Sequence, residues 1–579
     1  MPTPANAVYQ FGQFEVNAAS GELFKNGRRV KLQEQPFRLL VVLLEKAGDI
    51  VTREELRSRI WPEDTFVDFE GSLRVAVRKL RDALDDDPES PRYVETIPKR
   101  GYRFLGPATR PGELRSGFHS LAVLPFTNGT GPPEAEYLSE GISESIINLL
   151  SQFPDLRVVP RTSAFRYKGL ETELKKVGRD LNVDVVLTGT VTQRGDRLIV
   201  QTELVDVAND TQLWGGQFNR TLEDIFELQE ELARRISESL RPRLSPDEDK
   251  FLNKRPTENR EAYHLYLKAM YYANKWSPEG IQKGIAYSKQ AIEIDPLFAR
   301  AYAGLAYIYI LLGIFGGLPP SQAFPMAKAA ALKALEIDDS MATAHACLAY
   351  LLLAYDWDWA GAEKESRRAI ELAPNIPGGH YTRSQWCLVN RRPEEAIAEA
   401  RITLELDPLS LPNHQLLAGT YHMLGEYDAA IEQAHKALEL DSSFTPAQLL
   451  LALSYAYSGR SEEAFAQAER AGAFSEGNAQ TNILPMGIGG IIYALAGKHA
   501  EARAVVARLS QSQPPYQYIS AHGCAAIHAL LGEKDQAFQW IERALPGRGL
   551  FQLNIRPEFK NLHTDPRFSD LLRRMGLPE

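Results

Sequence analysis

A short motif recurs at nearly constant spacing through the C-terminal half of the chain. The strings AIEIDP, ALEIDD, AIELAP, TLELDP and ALELDS begin at residues 291, 334, 369, 403 and 437, at intervals of 43, 35, 34 and 34 residues. Each string ends a stretch with helical spacing, and proline follows the acidic residue in two copies, where it stops the helix. A period near 34 residues predicts helical units that stack on their neighbours, and this constrains the fold more than any other feature.

A glycine turn marks a second recurring point inside each unit. The strings MLGEYDAA, YSGRSEEA, LAGKHAEA and LLGEKDQA place glycine at Gly425, Gly459, Gly497 and Gly532. Small residues follow where two helices must approach closely, at Ala430, Ala464, Ala502 and Ala537. The pattern resembles the tetratricopeptide repeat, which implies an all-α superhelix of about eight units. Its concave groove is expected to bind a protein or peptide, and the alternative is a groove that serves only dimer formation or shape.

Three features bear on the compartment. The run from Ala301 to Leu318 is uncharged and about long enough to cross a bilayer, but it falls inside a repeat, so we expect a buried helix and a glycine-rich turn. Cys347, Cys387 and Cys524 lie far apart, which disfavours a disulfide framework or a zinc site. The first residues lack the pattern of a secretory signal. We therefore expect a cytoplasmic protein without a membrane partner.

Residues 71–84, GSLRVAVRKLRDAL, form a cationic stretch in a protein of formal charge −10. Residues 1–107 hold 17 Lys/Arg and 17 Asp/Glu, so the excess acid lies in the remainder. On a helical wheel one apolar stripe contains Leu73, Val77, Leu80 and Leu84. The cations surround the opposite face, and Val75 points outward between them. Such a face suits a DNA major groove, and the alternative is an ordinary solvated surface.

The neighbouring segments favour the DNA interpretation. Residues 33–47 have the pattern of an amphipathic helix, and a second helix is predicted over 51–61, with Thr52 and Glu55 as a capping box. Residues 93–104 alternate like a hairpin with basic residues at its tip. The segment before all of these alternates like short strands with turns at Ser20-Gly21 and Asn26-Gly27.

Residues 8–105 resemble the winged-helix DNA-binding domain of the OmpR/PhoB-type regulators. VTREELRSRIW is similar to the second helix of that family, SLRVAVRKLR to its recognition helix and VETIPKRGYRF to its wing. The resemblance implies contacts to double-stranded promoter DNA, and RNA polymerase contacts from the loop 61–70. It also implies pairing of two copies on direct repeats, hence a homodimer on DNA. The implied DNA-binding residues are Ser72, Arg74, Val75, Arg78, Lys79, Arg81, Lys99 and Arg100.

The segment 108–118 is rich in Gly and Pro and is predicted to be a linker, where membrane-anchored CadC-like members of the family place a transmembrane helix. The DNA-binding module begins near residue 8, so phosphorylation of a receiver domain in the same chain is not expected.

Residues 119–250 alternate strand-like and helical runs. Strands are predicted over 120–126, 156–161, 183–193 and 196–206, and helices over 136–152, 171–182 and 222–240. The runs AVLPF, YLSEGISESI and VVLTGTV resemble a TolB amino-terminal-like domain, a family that implies no activity. Ser139 is expected to cap the first helix; the alternative is an anionic ligand at that helix start.

No catalytic residue, cofactor or metal is expected. Glu140, Asp184 and Asp206 lack the spacing of an acid/base pair, and neither nucleotide-binding glycine motif occurs. His345, His422, His435 and His528 lie within repeats and are expected to pack there rather than bind metal.

The prediction is a multidomain chain that regulates transcription. It comprises an α+β winged helix (1–107), a linker (108–118), an α/β middle domain (119–250) and an all-α tetratricopeptide superhelix (251–579). The winged helix reads the major groove in a sequence-specific way, while the repeats bind a partner or regulate the DNA module. One alternative is a scaffold or adaptor whose winged helix binds protein, and another is a hydrolase site in the middle domain.

Overall fold

In the computed structural model the chain forms two compact units, residues 1–117 and 118–579, and each is described by itself. The structure describes residues 8–11, 14–17, 21–25, 28–46, 50–60, 69–84, 86–87, 91, 93–97, 100–105, 118–129, 135–153, 155–170, 172–240, 255–275, 277–314, 318–475, 483–512, 517–547 and 550–578.

The first unit begins with a four-stranded antiparallel sheet in the order β1-β2-β3-β4. Three helices follow, and a second, three-stranded sheet in the order β5-β7-β6 ends the unit. The elements are β1 Val8–Phe11, β2 Phe14–Asn17, β3 Glu22–Lys25, β4 Arg28–Val30, α1 Glu34–Glu45, β5 Ile50–Thr52, α2 Arg53–Ile60, α3 Phe69–Leu84, β6 Val94–Ile97 and β7 Gly101–Phe104. This is the predicted winged-helix architecture.

Local sequence explains how these elements begin. The Thr52 hydroxyl accepts a hydrogen bond from the Glu55 backbone N–H at 3.2 Å, which is half of the predicted capping box. The Glu55 carboxylate pairs with Lys46 at 2.6 Å, so that half of the prediction is wrong. A Cβ at Gly101 would lie 2.0 Å from the Val51 carbonyl oxygen, so glycine is what lets β7 lie against β5.

The second unit starts with a six-stranded sheet in the order β10-β8-β11-β12-β13, with β9 beside β11. β8 runs parallel to β10 and β11, whereas β11, β12 and β13 are antiparallel. The strands are β8 Ser120–Val123, β9 Thr127–Asn128, β10 Arg157–Val158, β11 Val185–Arg194, β12 Arg197–Asp206 and β13 Thr211–Thr221. The helices are α4 Glu136–Leu150, α5 Arg161–Ala164, α6 Leu174–Leu181 and α7 Ile225–Leu240. β13 is absent from the sequence prediction.

The start of α4 agrees with the helix predicted from residue 136, but its N-cap does not. The helix begins at Glu136, and Ser139 is only 1% exposed inside its first turn. Ala135 occupies the N-cap position and makes no side-chain cap bond. The expected cap at Ser139 is therefore wrong, since residues 136–138 before it already belong to the helix.

Paired helices fill the rest of the second unit, as the repeat predicts. They are α8 Arg260–Ala273, α9 Pro278–Ile294, α10 Ala299–Ile314, α11 Pro320–Ile337, α12 Ala342–Leu351, α13 Trp359–Leu372, α14 Pro377–Val389, α15 Pro393–Leu406, α16 Leu411–Leu424, α17 Tyr427–Leu440, α18 Thr445–Tyr457, α19 Ser461–Arg470, α20 Ile483–Leu495, α21 His499–Leu509, α22 Gln517–Leu530, α23 Lys534–Ala544 and α24 Pro566–Met575. The four predicted turn glycines all have positive φ, between 73° and 82°. The expected fold class is confirmed.

The sheet and the first repeat share one hydrophobic core. Tyr263 of α8 is 1% exposed, and its hydroxyl lies 2.6 Å from the Ser145 hydroxyl of α4 and donates to Gln229 of α7 at 2.8 Å. The boundary predicted near residue 250 thus separates a strand-and-helix region from an all-helical region. These two regions pack against each other. The domain limits themselves stay predictions.

The end of the chain packs back on earlier repeats. Trp359 donates from Nε1 to the Met575 carbonyl at 2.8 Å, and Asn554 donates to the Val389 carbonyl at 2.7 Å. The run from Ala301 belongs to α10, whose residues are mostly buried. Among the helices of the described residues, none is long and apolar enough to span a bilayer.

Candidate nucleic-acid interface

The predicted apolar stripe of α3 is buried as expected. Leu73, Val77, Leu80 and Leu84 are at most 3% exposed and belong to the core of the first unit, together with Ala76. The stripe fixes the rotation of the helix about its axis. Packing of this stripe therefore determines which residues of α3 lie on the opposite face.

Arg74, Val75 and Arg78 occupy that opposite face. Arg74 and Arg78 are exposed, and within the described part of the chain neither makes an ion pair or side-chain hydrogen bond. Val75 is 43% exposed between them. Two unengaged guanidinium groups beside an apolar side chain can bond a guanine edge or phosphate and contact a thymine methyl group.

Ser72 and Lys79 line a shallow depression beside this face. The depression has a volume of about 320 Å³ and is bounded also by Gln33, Gln35 and Val75. Lys79 donates from Nζ to the Gln33 amide oxygen at 2.6 Å, which ties α3 to the start of α1. Both predicted residues therefore lie next to Val75, and Lys79 is already held by a neighbour.

Arg81 differs from the other cations of α3. Its guanidinium donates to the Val94 carbonyl at 2.7 Å and to the Thr96 hydroxyl at 2.8 Å. Both acceptors belong to β6, the first strand of the wing. The side chain is thus turned into the protein, where it joins α3 to the wing.

The wing tip is described in part. Arg100 is exposed, and its backbone N–H donates to the Ile97 carbonyl at 3.1 Å, so the turn holds it at the tip. Lys99 lies outside the described residues. Most of the loop expected to contact RNA polymerase, residues 61–68, does so as well.

Asp86 helps to position the wing and was not predicted from the sequence. Asp86 is 7% exposed, and its carboxylate accepts the backbone N–H groups of Tyr93 at 3.1 Å and Val94 at 2.8 Å. This acid lies in a DDDPESP run that reads as a turn, and nothing in the run singles it out. Together with Arg81 it sets the distance between α3 and the wing.

The geometry agrees with a family comparison. Residues 27–104 match the family described as transcriptional regulatory protein, C terminal. The match begins just before β4, the last strand of the first sheet, and ends with the wing strand β7. The first unit is an OmpR/PhoB-type winged-helix domain.

The sheet of the second unit matches a family too. Residues 117–235 match the second domain of HilA/YgeH-like transcriptional regulators. These are the residues that resemble the TolB amino-terminal-like domain. The winged-helix domain is thus followed by a domain that also occurs in transcriptional regulators.

Known relatives match parts of the chain. The transcriptional regulator HilA of Salmonella typhimurium is 28% identical over 340 residues, 58% of this chain and 59% of HilA. A protein of Rhizobium meliloti named putative adenylate cyclase 3 is 34% identical over 216 residues, 36% of this chain and 37% of that protein. The solved DNA-binding domain of Escherichia coli CadC is 30% identical, covering 18% of this chain and 96% of that domain with a TM-score of 0.17. The chain therefore spans less than two thirds of these two longer relatives.

The repeat histidines make hydrogen bonds within the superhelix. His345 contacts Glu365 at 2.6 Å and the Asp339 carbonyl at 2.9 Å, and His422 contacts the Ser454 hydroxyl at 3.0 Å. No group of three His, Cys, Asp or Glu side chains within the described ranges could hold a metal ion. Burial raises the pKa of the Cys347 thiol to about 12, which opposes its use as a thiolate.

Proposed function

We propose that the protein is a sequence-specific, DNA-binding transcription regulator. The observation that carries this is the exposed pair Arg74 and Arg78 around Val75, on a helix whose rotation is set by its buried stripe. HilA, which is 28% identical over 58% of this chain, and the two matching families are named for transcriptional regulators, which supports the proposal.

Each site residue has a role in this proposal. Arg74, Val75 and Arg78 contact base edges in the major groove, and Ser72 and Lys79 contact the flanking phosphates. Arg100 and Lys99 reach the backbone or the adjacent minor groove from the wing. Arg81 acts by positioning, because its hydrogen bonds to β6 occupy its guanidinium.

The remaining parts of the chain are proposed to control the DNA module. The repeats bind a protein or peptide, and two copies pair on operator DNA. The loop 61–70 contacts RNA polymerase. Since its operator lies on the chromosome, the protein works in the cytoplasm, and we propose no catalytic step, although one relative carries the name of a cyclase.

The test selects operators from random DNA duplexes with the full chain. We expect one enriched sequence whose affinity falls steeply as salt rises, because each neutralised phosphate releases counterions. Arg78→Ala should weaken binding to it by about 5- to 150-fold, because a base contact is worth roughly 1–3 kcal/mol.

The matched control is Arg38→Ala on α1. Arg38 is also exposed, and among the described residues its one ion-pair partner is Glu34, at 2.6 Å within its own helix. It should bind the selected operator like the unchanged protein. Binding without sequence preference, or equal losses in both variants, would contradict the proposal and favour a scaffold whose winged helix binds protein.

A further inference from the structure

β13 forms one edge of the sheet in the second unit. It is 11 residues long, pairs with β12 on one side, and within the described chain has no strand on the other. A bulge at Leu213 interrupts the pairing, because Leu204 faces Trp214 while Val205 faces Gln212. The regular edge therefore runs from Trp214 to Thr221. An edge of this length offers a row of backbone donors and acceptors.

The pairing of β12 shows which groups point outward. Arg194 and Arg197 close a two-residue hairpin at Gly195, whose φ is +63°, so they exchange hydrogen bonds. Hydrogen-bonded and non-hydrogen-bonded pairs alternate along β11 and β12. Val200 and Thr202 belong to non-hydrogen-bonded pairs with β11, so they direct their backbone N–H and C=O groups to β13.

Their partners in β13 are Phe218 and Gly216. The residues between and beside them, Gly215, Gln217 and Asn219, therefore turn N–H and C=O away from β12. All three residues are exposed.

Beyond the bulge, the edge from Trp214 to Thr221 lacks the lysine, proline and unpaired charge that usually prevent strand addition. β13 contains no lysine, no proline and no acid. Its one charge, Arg220, pairs with Glu231 of α7 at 2.7 Å and also donates to the outward Asn219 carbonyl at 3.1 Å, which keeps its second lone pair for a partner strand. A strand that joins this edge therefore meets neither an unpaired charge nor a missing donor.

We propose that β13 pairs with β13 of a second copy of this chain, antiparallel and centred on Gln217. This register joins the three outward residues: Gly215 faces Asn219 of the second copy, and Gln217 faces Gln217. On the other face Trp214 lies opposite Arg220, and no like charges face each other. The strand is thus complementary to itself, which is why a second copy is the occupant.

The β13 edge would be the surface through which the proposed homodimer forms. Only the purpose of that dimer rests on the proposed function. Sheet-to-sheet pairing would carry two winged-helix domains in one assembly before DNA is met. Because the dimer needs no DNA, it is tested without it, so a failure here leaves the DNA-binding proposal untouched.

The experiment measures association of the full chain by sedimentation over a range of concentrations. We expect a monomer–dimer equilibrium. Gln217→Pro should raise the dissociation constant at least about tenfold, because proline removes an outward backbone donor. It breaks no backbone bond to β12 and loses only the side-chain bond that Gln217 accepts from Gln201 at 3.3 Å. Its circular dichroism spectrum should match the unchanged protein, which separates loss of pairing from loss of fold.

A cysteine pair supplies the second readout. Gln217→Cys should be joined across the two-fold axis by a short bis-maleimide, whereas Glu203→Cys, exposed on the same sheet face but one strand farther in, should not. The proposal is overturned if the chain stays monomeric, or if Gln217→Pro dimerises normally. A monomer whose 215, 217 and 219 amides resist hydrogen exchange would show that another part of the same chain covers the edge.

Discussion

The Arg81 guanidinium lies 2.7 Å from the Val94 carbonyl oxygen and thereby joins the recognition helix to the wing. A second bond reaches the Thr96 hydroxyl at 2.8 Å. Arg81 therefore stabilises the protein's own structure, although it lies on the helix that is proposed to contact DNA. The distance between the helix and the wing depends on this contact and on Asp86.

Replacing Arg81 should therefore lower mainly the stability of the first unit, and DNA affinity only as a consequence. Arg81→Ala removes charged hydrogen bonds to β6 and should cost about 1–3 kcal/mol in the free energy of unfolding of the first unit. Hydrogen exchange of the amides in Val94–Ile97 measures the change in the full chain. Arg78→Ala is the control and should leave those amides unchanged. Unaltered exchange in Arg81→Ala, with an affinity loss like that of Arg78→Ala, would make Arg81 a DNA contact instead.

Val75 should set sequence preference without affecting the fold. The side chain is 43% exposed and its removal leaves no cavity. Val75→Ala should lower discrimination at one thymine position by a few-fold, since a methyl contact in the groove is lost. Operator selection with the variant measures this. The interpretation fails if the selected sequence is identical for both proteins while the thermal midpoint changes.

Asp407 should make the second unit more stable in mild acid. Burial raises its pKa from 3.8 to about 6, against the hydrogen bond from Ser163 and others that lower it. The folded state therefore holds this proton more tightly than the unfolded state. Stability should fall by up to about 3 kcal/mol as pH rises from about 4 to about 6, then level off.

The matching variant is Asp407→Asn, which cannot ionise. Its urea midpoint should increase relative to that of the unchanged protein as the pH rises through the same range. Asp407 lies at the end of α15, and Ser163, which bonds it, also accepts the Leu409 N–H at 2.8 Å, so the variant keeps the local geometry. Parallel pH profiles for the two proteins would exclude the raised pKa.

Two glycines of the same helix should respond oppositely to alanine. Gly425 ends α16 with φ of +82°, whereas Gly419 lies inside the helix, and a Cβ at either position meets no atom within 4 Å. Gly425→Ala should cost roughly 1–2 kcal/mol because the left-handed backbone disfavours a side chain. Gly419→Ala should gain roughly 0.5–1 kcal/mol.

Hydrogen exchange of the α16 amides measures both effects locally. Since neither alanine creates a clash, the backbone dihedral is what distinguishes the sites. Shifts of the same sign would show that the turn does not require glycine.

The helices follow from the sequence because their signals are local. The stripe of Leu73, Val77 and Leu80 and the period of the repeats depend only on spacing along the chain. The role of Arg81 could not be predicted in this way. Its acceptors lie 13 and 15 residues away on another element, and only the packed wing brings them within reach.

β13 was missed for a different reason. Gly215 and Gly216 interrupt its apolar residues and resemble a turn. In the structure a Cβ at Gly216 would lie 2.9 Å from the Trp214 ring and 3.0 Å from the Phe218 ring. The glycine therefore leaves room for two aromatic side chains on one sheet face, a requirement that only tertiary structure reveals.

Footprinting of the full-length protein on genomic DNA tests the central claim most directly. The account predicts a few protected promoter sites with a shared sequence, which disappear in the double variant Arg78→Ala, Lys79→Ala and persist in Arg38→Ala. Protection that survives the double variant, or no protected sites for the unchanged protein, would contradict it.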